Sequence, residues 1–225
     1  MVIEDKKKNR FGVVLLLYQL IINLLKLFFN KTVIKQDMTK LITKTTFLFT
    51  ILIAFGATDH SDRQFRNEFL YRINLTRQKG CNCGGVYMPP VSPLTWNEDL
   101  GDAALGHAKD MAQNNYFNHD SKDGRTMEDR IVHAGYAFKG FKSFAIGENI
   151  AAGQESIKEV MDGWFKSDGH CKNLMNPNFK EVGVAMYKNY WVQDFGGRES
   201  FSAAQQKLIR SGRYHVVQGQ GSVHN

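Results

Sequence analysis

Three polar residues lie where elements of secondary structure are expected to end, and their side chains could bind a metal or move a proton. His119 follows a helix-forming stretch, Glu148 ends an apolar strand-like stretch, and His170 follows an amphipathic helical stretch. Imidazole nitrogens bind divalent cations such as zinc, and a carboxylate can accept a hydrogen bond from metal-bound water. The residues predict a candidate site with His119 and His170 as metal ligands. The alternative is that each histidine makes only a structural hydrogen bond.

A hydrolase could use the same residues. One of the two histidines would hold a metal or activate water with Glu148 as the base, so His119, Glu148 and His170 are the catalytic candidates. Ser167 lies shortly before His170, but the sequence supplies no identifiable third member of a nucleophilic triad. The sequence also contains neither a Gly-x-Ser-x-Gly nor a His-Glu-x-x-His motif. An enzyme is therefore the less favoured interpretation.

Hydrophobic periodicity predicts helices and an antiparallel sheet that would position these residues. Asn97, Thr126 and Ser156 are each suited to cap the start of a helix. The predicted helices cover residues 62–79, 98–115, 127–134 and 157–167, and the predicted strands cover 144–150, 182–186 and 190–195. Residues 81–93 are expected to form a loop, and His107, on an apolar helix face, is expected to be a hydrogen-bonded core histidine. Helices on both sides of a small antiparallel sheet make an α+β fold, a three-layer α-β-α sandwich.

The amino-terminal quarter of the chain carries most of its charge excess. Of the net charge of +7, residues 1–57 carry +6 and the remaining residues carry +1. The basic excess is therefore no indication of a nucleic-acid-binding surface on the domain. Two apolar runs, 13–25 and 47–55, each follow basic residues in this segment. The second run has the short basic start, apolar core and small residues of a secretory signal peptide.

The two apolar runs leave two interpretations open. In the first, Met38 is the true start, residues 1–37 are upstream or non-native sequence, and residues 38–57 are a signal peptide. In the second, residues 11–29 form a membrane anchor and residues 47–55 a second hydrophobic helix, although neither run reaches the roughly twenty apolar residues that span a bilayer. Both interpretations predict a domain outside the cytosol, either secreted, periplasmic or membrane-anchored.

Residues 58–198 are expected to form one domain, and residues 199–225 a largely disordered tail, because the tail is polar and has weak periodicity. The chain has three cysteines, Cys81, Cys83 and Cys171. This number fits a secreted protein with one disulfide and one remaining thiol. The spacing lacks the pattern of a structural zinc site. Cys81 and Cys83 are too close to pair comfortably with each other, so Cys171 should pair with one of them.

Four short motifs occur in an order that is typical of one protein family. They are Asn-His-Asp at 118–120, Gly-Glu-Asn-Ile-Ala-Ala-Gly at 147–153, Gly-His-Cys at 169–171 and Tyr-Trp-Val-Gln-Asp-Phe-Gly at 190–196. Together they resemble the CAP superfamily of cysteine-rich secretory proteins, antigen 5 venom allergens and plant pathogenesis-related proteins. The resemblance covers about residues 65–197 and is closest to the bacterial secreted, SCP-like branch. It implies the same three-layer sandwich.

The CAP resemblance also implies a central cavity built around two histidines and two acidic residues. His119, Glu148 and His170 fall on three of these positions. Ser167 stands at the fourth, where the family pattern Trp-x-x-Glu places an acid, so the cavity loses a charge and a peptidase role is less favoured. The Cys-Gly-Gly and Gly-His-Cys motifs imply that Cys83 pairs with Cys171.

The function implied by this resemblance is that of a secreted binding scaffold, by analogy at the level of the fold. Its ligand would be extracellular or part of the cell envelope, such as a lipid, a sterol-like molecule or a cell-wall component. A divalent metal such as zinc is the cofactor that the site would allow. A metal-dependent hydrolase or peptidase and a protein-interaction module are the alternatives. Nucleic acid is not an expected partner, and a membrane is one only through the amino-terminal apolar segments, if they are retained.

Overall fold

The computed structural model describes residues 16–26, 44–45, 62–213 and 222–224. The chain divides into two compact units, Met1–Ser61 and Asp62–Asn225. In the first unit, a helix covers residues 16–26 and overlaps the first apolar run from residue 16 to residue 25. Across the described ranges, no helix is both long enough and apolar enough to cross a membrane.

Most of the predicted amino-terminal features lie outside the described residues. Apart from residues 16–26, this holds for the extension at 1–37. Apart from residues 44–45, it also holds for the signal peptide at 38–57 and its start at Met38. Both assignments therefore stay predictions.

The second unit contains a sheet with helices on both faces. Its described helices are α1 (62–79), α2 (Glu98–Asn114), α3 (Met127–His133), α4 (Ile157–Lys166), α5 (Asp168–Leu174) and α6 (Ala203–Arg210). Its described strands are β1 (Cys81–Cys83), β2 (Val86–Met88), β3 (Thr95–Trp96), β4 (Ser143–Ala152), β5 (Glu181–Tyr187), β6 (Tyr190–Glu199) and β7 (Ser222–His224). The main sheet has the strand order β3-β5-β6-β4-β7. Strands β5, β6 and β4 are antiparallel, and the short strands β3 and β7 pair in parallel at the two edges.

Alternate residues of the central strands enter different cores on the two faces of the sheet. On one face, Trp191 and Phe195 of β6 pack with residues of α1, α4 and α5, including Phe69 and Trp164. On the other face, Val192 of β6 packs against α2. Because successive side chains of a strand point to opposite faces, β6 is covered on both sides. The predicted α+β sandwich of α-β-α layers is thus confirmed.

The starts of α2, α3 and α4 lie at the predicted capping residues. Asn97 accepts a hydrogen bond from the backbone amide of Leu100, and Ser156 accepts one from a backbone amide in the first turn of α4. Thr126 and Asp129 form a reciprocal capping box at α3. These bonds satisfy amides that have no partner inside the helix, which explains why each helix begins where it does.

Residues 81–93, predicted to be a loop, contain the antiparallel hairpin of β1 and β2. Cys83 is paired with Val86, so Gly84 and Gly85 form its two-residue turn. Gly84 has a φ of 60°, a conformation that glycine adopts without a steric penalty. The Gly-Gly pair was therefore the available signal for a hairpin.

The tail, predicted to be largely disordered at 199–225, contains regular structure. β6 extends to Glu199, and α6 follows at Ala203–Arg210. Ser202 and Gln205 form a capping box that starts α6. Further on, β7 pairs with β4 in the main sheet.

Candidate functional site

His119, Ser167 and His170 line one open cleft beside the end of β4. The cleft has a volume of about 780 Å³, which is within the range of small-molecule sites. The loop between α2 and α3 supplies His119, the junction of α4 and α5 supplies Ser167, and α5 supplies His170. The structure therefore brings together three of the four residues that the sequence placed in a common site.

The fourth residue, Glu148, lies behind His119 and does not line the cleft. Its side chain is fully buried, because both faces of β4 are covered. Oε1 accepts a hydrogen bond from Nδ1 of His119 at 2.8 Å, and Oε2 accepts one from Nη2 of Arg130 at 2.7 Å. Glu148 thus lies within hydrogen-bonding reach of one cleft histidine and contacts the cleft through it. Its role is to position His119.

Arg130 is a site residue that the sequence analysis missed. Its side chain is only 4% exposed where it pairs with Glu148, and Nη1 also lies 3.3 Å from Oγ of Ser121 and from the carbonyl oxygen of Arg125. Arg130 follows Met127 by one helical turn on the buried face of α3. That spacing was the available signal, but arginine is so rarely buried that the pattern alone does not identify it.

His107 holds the backbone immediately before His119. It is fully buried on α2, and its Nε2 donates a hydrogen bond to the carbonyl oxygen of Asn118 at 2.9 Å. Burial lowers the pKa of His107 below its usual value, against the opposite effect of the nearby Glu148 carboxylate. The ring is therefore neutral at neutral pH. This geometry matches the predicted hydrogen-bonded core histidine.

Buried amide side chains fix the helix that carries His170. Nδ2 of Asn149 donates to the carbonyl oxygen of His170 at 3.3 Å and to Oε1 of Gln193 at 3.1 Å. Nδ2 of Asn173 donates to the carbonyl oxygen of Glu148 at 3.2 Å and to Oδ1 of Asn149 at 3.0 Å. These hydrogen bonds join α5 to β4 and β6. Adjacent residues of β4 therefore hold the two histidines: Glu148 bonds His119, and Asn149 bonds the backbone of His170.

The chain from α1 to β6 matches a known protein family. The CAP family, described as the cysteine-rich secretory protein family, matches residues 70–195, which is more than half of the chain. The chain belongs to the CAP family. The matched residues of this CAP domain include both cleft histidines, the serine and the buried glutamate.

Two curated relatives and one solved structure are similar to this CAP domain. The chain is 36% identical over 110 residues to protein YkwD of Bacillus subtilis (strain 168), covering 48% of this chain and 41% of YkwD. It is 33% identical over 105 residues to membrane protein YlbC of the same strain, covering 47% of this chain and 29% of YlbC. A crystal structure of an extracellular SCP-domain protein from Bacillus anthracis str. Ames is 34% identical and covers 59% of this chain and 41% of that chain, with a TM-score of 0.48. The chain spans less than half the length of each of these proteins.

The CAP domain has a disulfide next to the cleft. It joins Cys83 of β1 to Cys171 of α5, with a Cα–Cα distance of 5.4 Å that is usual for such bonds. This is the predicted pairing, and it connects the hairpin to the residue after His170. Cys81 remains a partly exposed thiol.

Glu148 and Asp194 lie directly opposite each other on β4 and β6. Burial alone would raise the pKa of Glu148, but the hydrogen bond from His119 and the charge of Arg130 lower that pKa below its usual value. Burial, and then the charge of Glu148, raise the pKa of Asp194 well above its usual value. The two opposite shifts therefore favour an ionised Glu148 beside a protonated Asp194. Neither oxygen of Asp194 accepts a hydrogen bond from a described residue.

We expect Asp194→Asn to flatten the pH dependence of stability. The folded chain keeps the Asp194 carboxyl protonated, whereas the unfolded chain releases that proton above a pH of about 4. The wild type therefore loses stability as the pH rises from about 4 towards the raised pKa of the folded state. Asparagine cannot ionise, so the variant should gain stability relative to the wild type as the pH rises. Urea unfolding at several pH values between about 5 and 8 measures this difference.

Asp102→Asn is the matched control for this experiment. It removes an exposed carboxylate from α2, so its pH dependence should follow that of the wild type. If the Asp194→Asn curve follows the wild type as well, Asp194 is not held protonated in the folded state.

Proposed function

We propose that this CAP domain is an extracellular binding scaffold whose cleft recognises its ligand through His119 and His170. One observation carries the proposal: His119, Ser167 and His170 meet in one open cleft, and the buried carboxylate of Glu148 holds His119 in place. The disulfide of the domain supports the extracellular assignment, because such bonds persist mainly in oxidising compartments.

The composition of the cleft fits a ligand that has both an apolar part and a polar end. Phe117, Ile150, Val160 and Trp164 contribute to its apolar lining. Phe117 is 52% exposed and can pack against a ligand without displacing the core. The two histidines and Ser167 supply the polar end. A lipid, a sterol-like molecule or a cell-wall component with an apolar portion has this division.

His119 and His170 each bring an imidazole to the cleft, which is a partial ligand set for a divalent cation such as zinc. Because Nδ1 of His119 is bonded to Glu148, Nε2 is the nitrogen left for a ligand, an arrangement typical of metal-binding histidines. Burial, and then the nearby His119, lower the pKa of His170, which keeps that imidazole neutral as metal binding requires. Protein sites usually give zinc three or four ligands, so Ser167, water or the bound molecule would complete the set. A cation bound here would polarise an oxygen of the ligand.

A hydrolase that uses Glu148 as its base is a weaker interpretation of the same cleft, because Glu148 does not line the cleft. Both carboxylate oxygens of Glu148 are bonded within the protein, to His119 and to Arg130. The fully buried carboxylate of Glu148 orients His119 but does not itself reach a water molecule in the cleft. Binding is therefore the function that the geometry supports best.

Zinc titration of the oxidised protein tests the cleft. We expect His119→Ala and His170→Ala each to weaken zinc binding by at least about tenfold, because changes that only disturb a zinc ligand already cost that much. The contribution of His170 should persist as the pH falls somewhat below about 6.5, the usual pKa of histidine, because burial lowers its pKa. Isothermal titration calorimetry at several pH values measures both effects.

His133→Ala is the matched control, because His133 is an exposed histidine on α3. It should bind zinc as the wild type does. If His119→Ala and His170→Ala also bind zinc as the wild type does, the cleft is not a metal site.

Mass spectrometry of lipids that copurify with the wild type and with Phe117→Ala tests the apolar part of the cleft. If no lipid copurifies, and a protein partner binds the wild type and Phe117→Ala equally well, the domain is better explained as a protein-interaction module.

A further inference from the structure

Five sulfur-containing side chains meet between the β1–β2 hairpin and α5. Cys83, Cys171 and Met175 are buried there, and Cys81 and Met88 pack against them. The three cysteine sulfurs lie within 4.8 Å of one another. The sequence spacing of these cysteines lacks the pattern of a zinc site, so the convergence is produced by the fold.

The hairpin register and the helix period explain why these side chains converge. Residues two apart on a strand point to the same side, so Cys81 and Cys83 share one face of β1. Met88 lies directly opposite Cys81 on β2 and shares that face. Cys171 and Met175 are one helical turn apart at the end of α5, where the amide of Met175 bonds the carbonyl oxygen of Cys171 at 3.0 Å. The hairpin and the helix therefore present sulfur atoms to the same small volume.

The position of Cys81 is that of a third ligand and not that of an attacking thiol. Its Sγ lies 3.8 Å from Sγ of Cys171 and 4.0 Å from Sγ of Cys83. A thiolate that attacks a disulfide approaches along the bond, so one sulfur would be nearer by roughly a bond length. The nearly equal distances place Cys81 beside the bond. These two separations are close to the roughly 4 Å expected when three thiolates surround one ion at about 2.3 Å, and the third pair, Cys83 and Cys171, reaches that separation only after the disulfide is reduced.

We propose that Cys81, Cys83 and Cys171 bind one copper(I) ion when the Cys83–Cys171 disulfide is reduced. Thiolate and thioether ligands select soft ions such as copper(I), and Met88 and Met175 place thioethers beside the three thiols. Two molecules of a low-molecular-weight thiol supply the two electrons and two protons for the reduction and are themselves oxidised to a disulfide. Each cysteine thiol then releases its proton to solvent as its sulfur binds the ion.

This sulfur site is separate from the histidine cleft and can fail or succeed independently of it. The disulfide and the copper ion use the same two sulfurs, those of Cys83 and Cys171. The protein with the disulfide therefore does not bind copper(I) at this site, and bound copper(I) prevents the disulfide from forming. The partly exposed Cys81 provides the route from solvent to the two buried cysteines. The cleft experiment uses oxidised protein, in which the sulfur site cannot form.

Competition for copper(I) against the chromophoric chelator bicinchoninate tests the proposal. Reduced wild-type protein, freed of reductant under nitrogen, is expected to remove one equivalent of copper(I) from the chelator. Reduced Cys81→Ala should bind at least about tenfold more weakly, because it lacks one of three ligands. The oxidised wild type should leave the copper(I) bound to the chelator. X-ray absorption at the copper edge should find only sulfur neighbours.

A double variant, His119→Ala with His170→Ala, is the matched control, because it removes the cleft histidines and keeps every sulfur. It should take up copper(I) as the reduced wild type does. The proposal is overturned if reduced Cys81→Ala binds as tightly as the wild type, or if absorption shows nitrogen ligands. It is also overturned if the reduced chain binds zinc while leaving copper(I) on the chelator, or if circular dichroism shows that the copper-loaded chain is unfolded.

Discussion

Arg130→Ala is expected to lower the free energy of unfolding by about 3–5 kcal/mol, the usual cost of removing one partner from a buried ion pair. Nη2 of Arg130 lies 2.7 Å from Oε2 of Glu148, and the two side chains are 4% and 0% exposed. Without the guanidinium, the carboxylate of Glu148 keeps the hydrogen bond from His119 but loses its fully charged partner. The variant therefore leaves a buried negative charge without its cation. Urea unfolding near neutral pH measures the loss.

Arg125→Ala is the matched control for this experiment. It removes an ion pair with Asp123 in which the side chains are 48% and 56% exposed, so we expect a change within about 0.5 kcal/mol. The double variant Arg130→Met with Glu148→Gln should lose less stability than Arg130→Ala, because it leaves no charge without a partner. If Arg130→Ala costs no more than Arg125→Ala, the ion pair is not what stabilises this part of the fold.

The elements of the fold that could be predicted from the sequence are those with local signals. The caps of α2 to α4 depend on a side chain and an amide less than one turn away, and both are visible in the sequence. The two strands of the β5–β6 hairpin were predicted from the hydrophobic periodicity of residues 182–186 and 190–195, and Lys188 and Asn189 between them both adopt positive φ values. The sequence predicted a helix that ends at Ser167, but it did not predict α5, which begins at the next residue. A second short helix directly after the first leaves almost no boundary signal.

The site could be predicted only in part, because its supporting contacts join distant segments. His119 and His170 were found from motifs and from the expectation that each follows a helix, although His170 lies inside α5. The pairing of Arg130 with Glu148 joins α3 to the middle of β4, and no periodicity specifies which strand residue a buried arginine meets. The same holds for Asp194, which becomes a buried neighbour of Glu148 only through the register of β4 and β6. A polar residue on a strand that is covered on both faces has no local signature of its burial.

Cys171→Ala is expected to lower the free energy of unfolding by about 2–4 kcal/mol under oxidising conditions. The disulfide to Cys83 joins residues separated by 88 positions, so its loss restores much conformational freedom to the unfolded chain in the chain-entropy model. Denaturant unfolding with and without a dithiol reductant measures the effect. The difference between the wild type and the variant should shrink when both are reduced.

Cys83→Ala is expected to cost less than Cys171→Ala. Sγ of Cys81 lies 3.8 Å from Sγ of Cys171, so mild oxidation of the variant can join these two thiols and close a loop of nearly the same length. Peptide mapping should then find Cys81 linked to Cys171. Cys81→Ala is the matched control, because it keeps the Cys83–Cys171 bond and should stay within about 0.5 kcal/mol of the wild type. If Cys171→Ala is as stable as the wild type, the crosslink does not stabilise the domain. If Cys83→Ala and Cys171→Ala lose equal free energy of unfolding, the hairpin cannot shift Cys81 into bonding distance of Cys171.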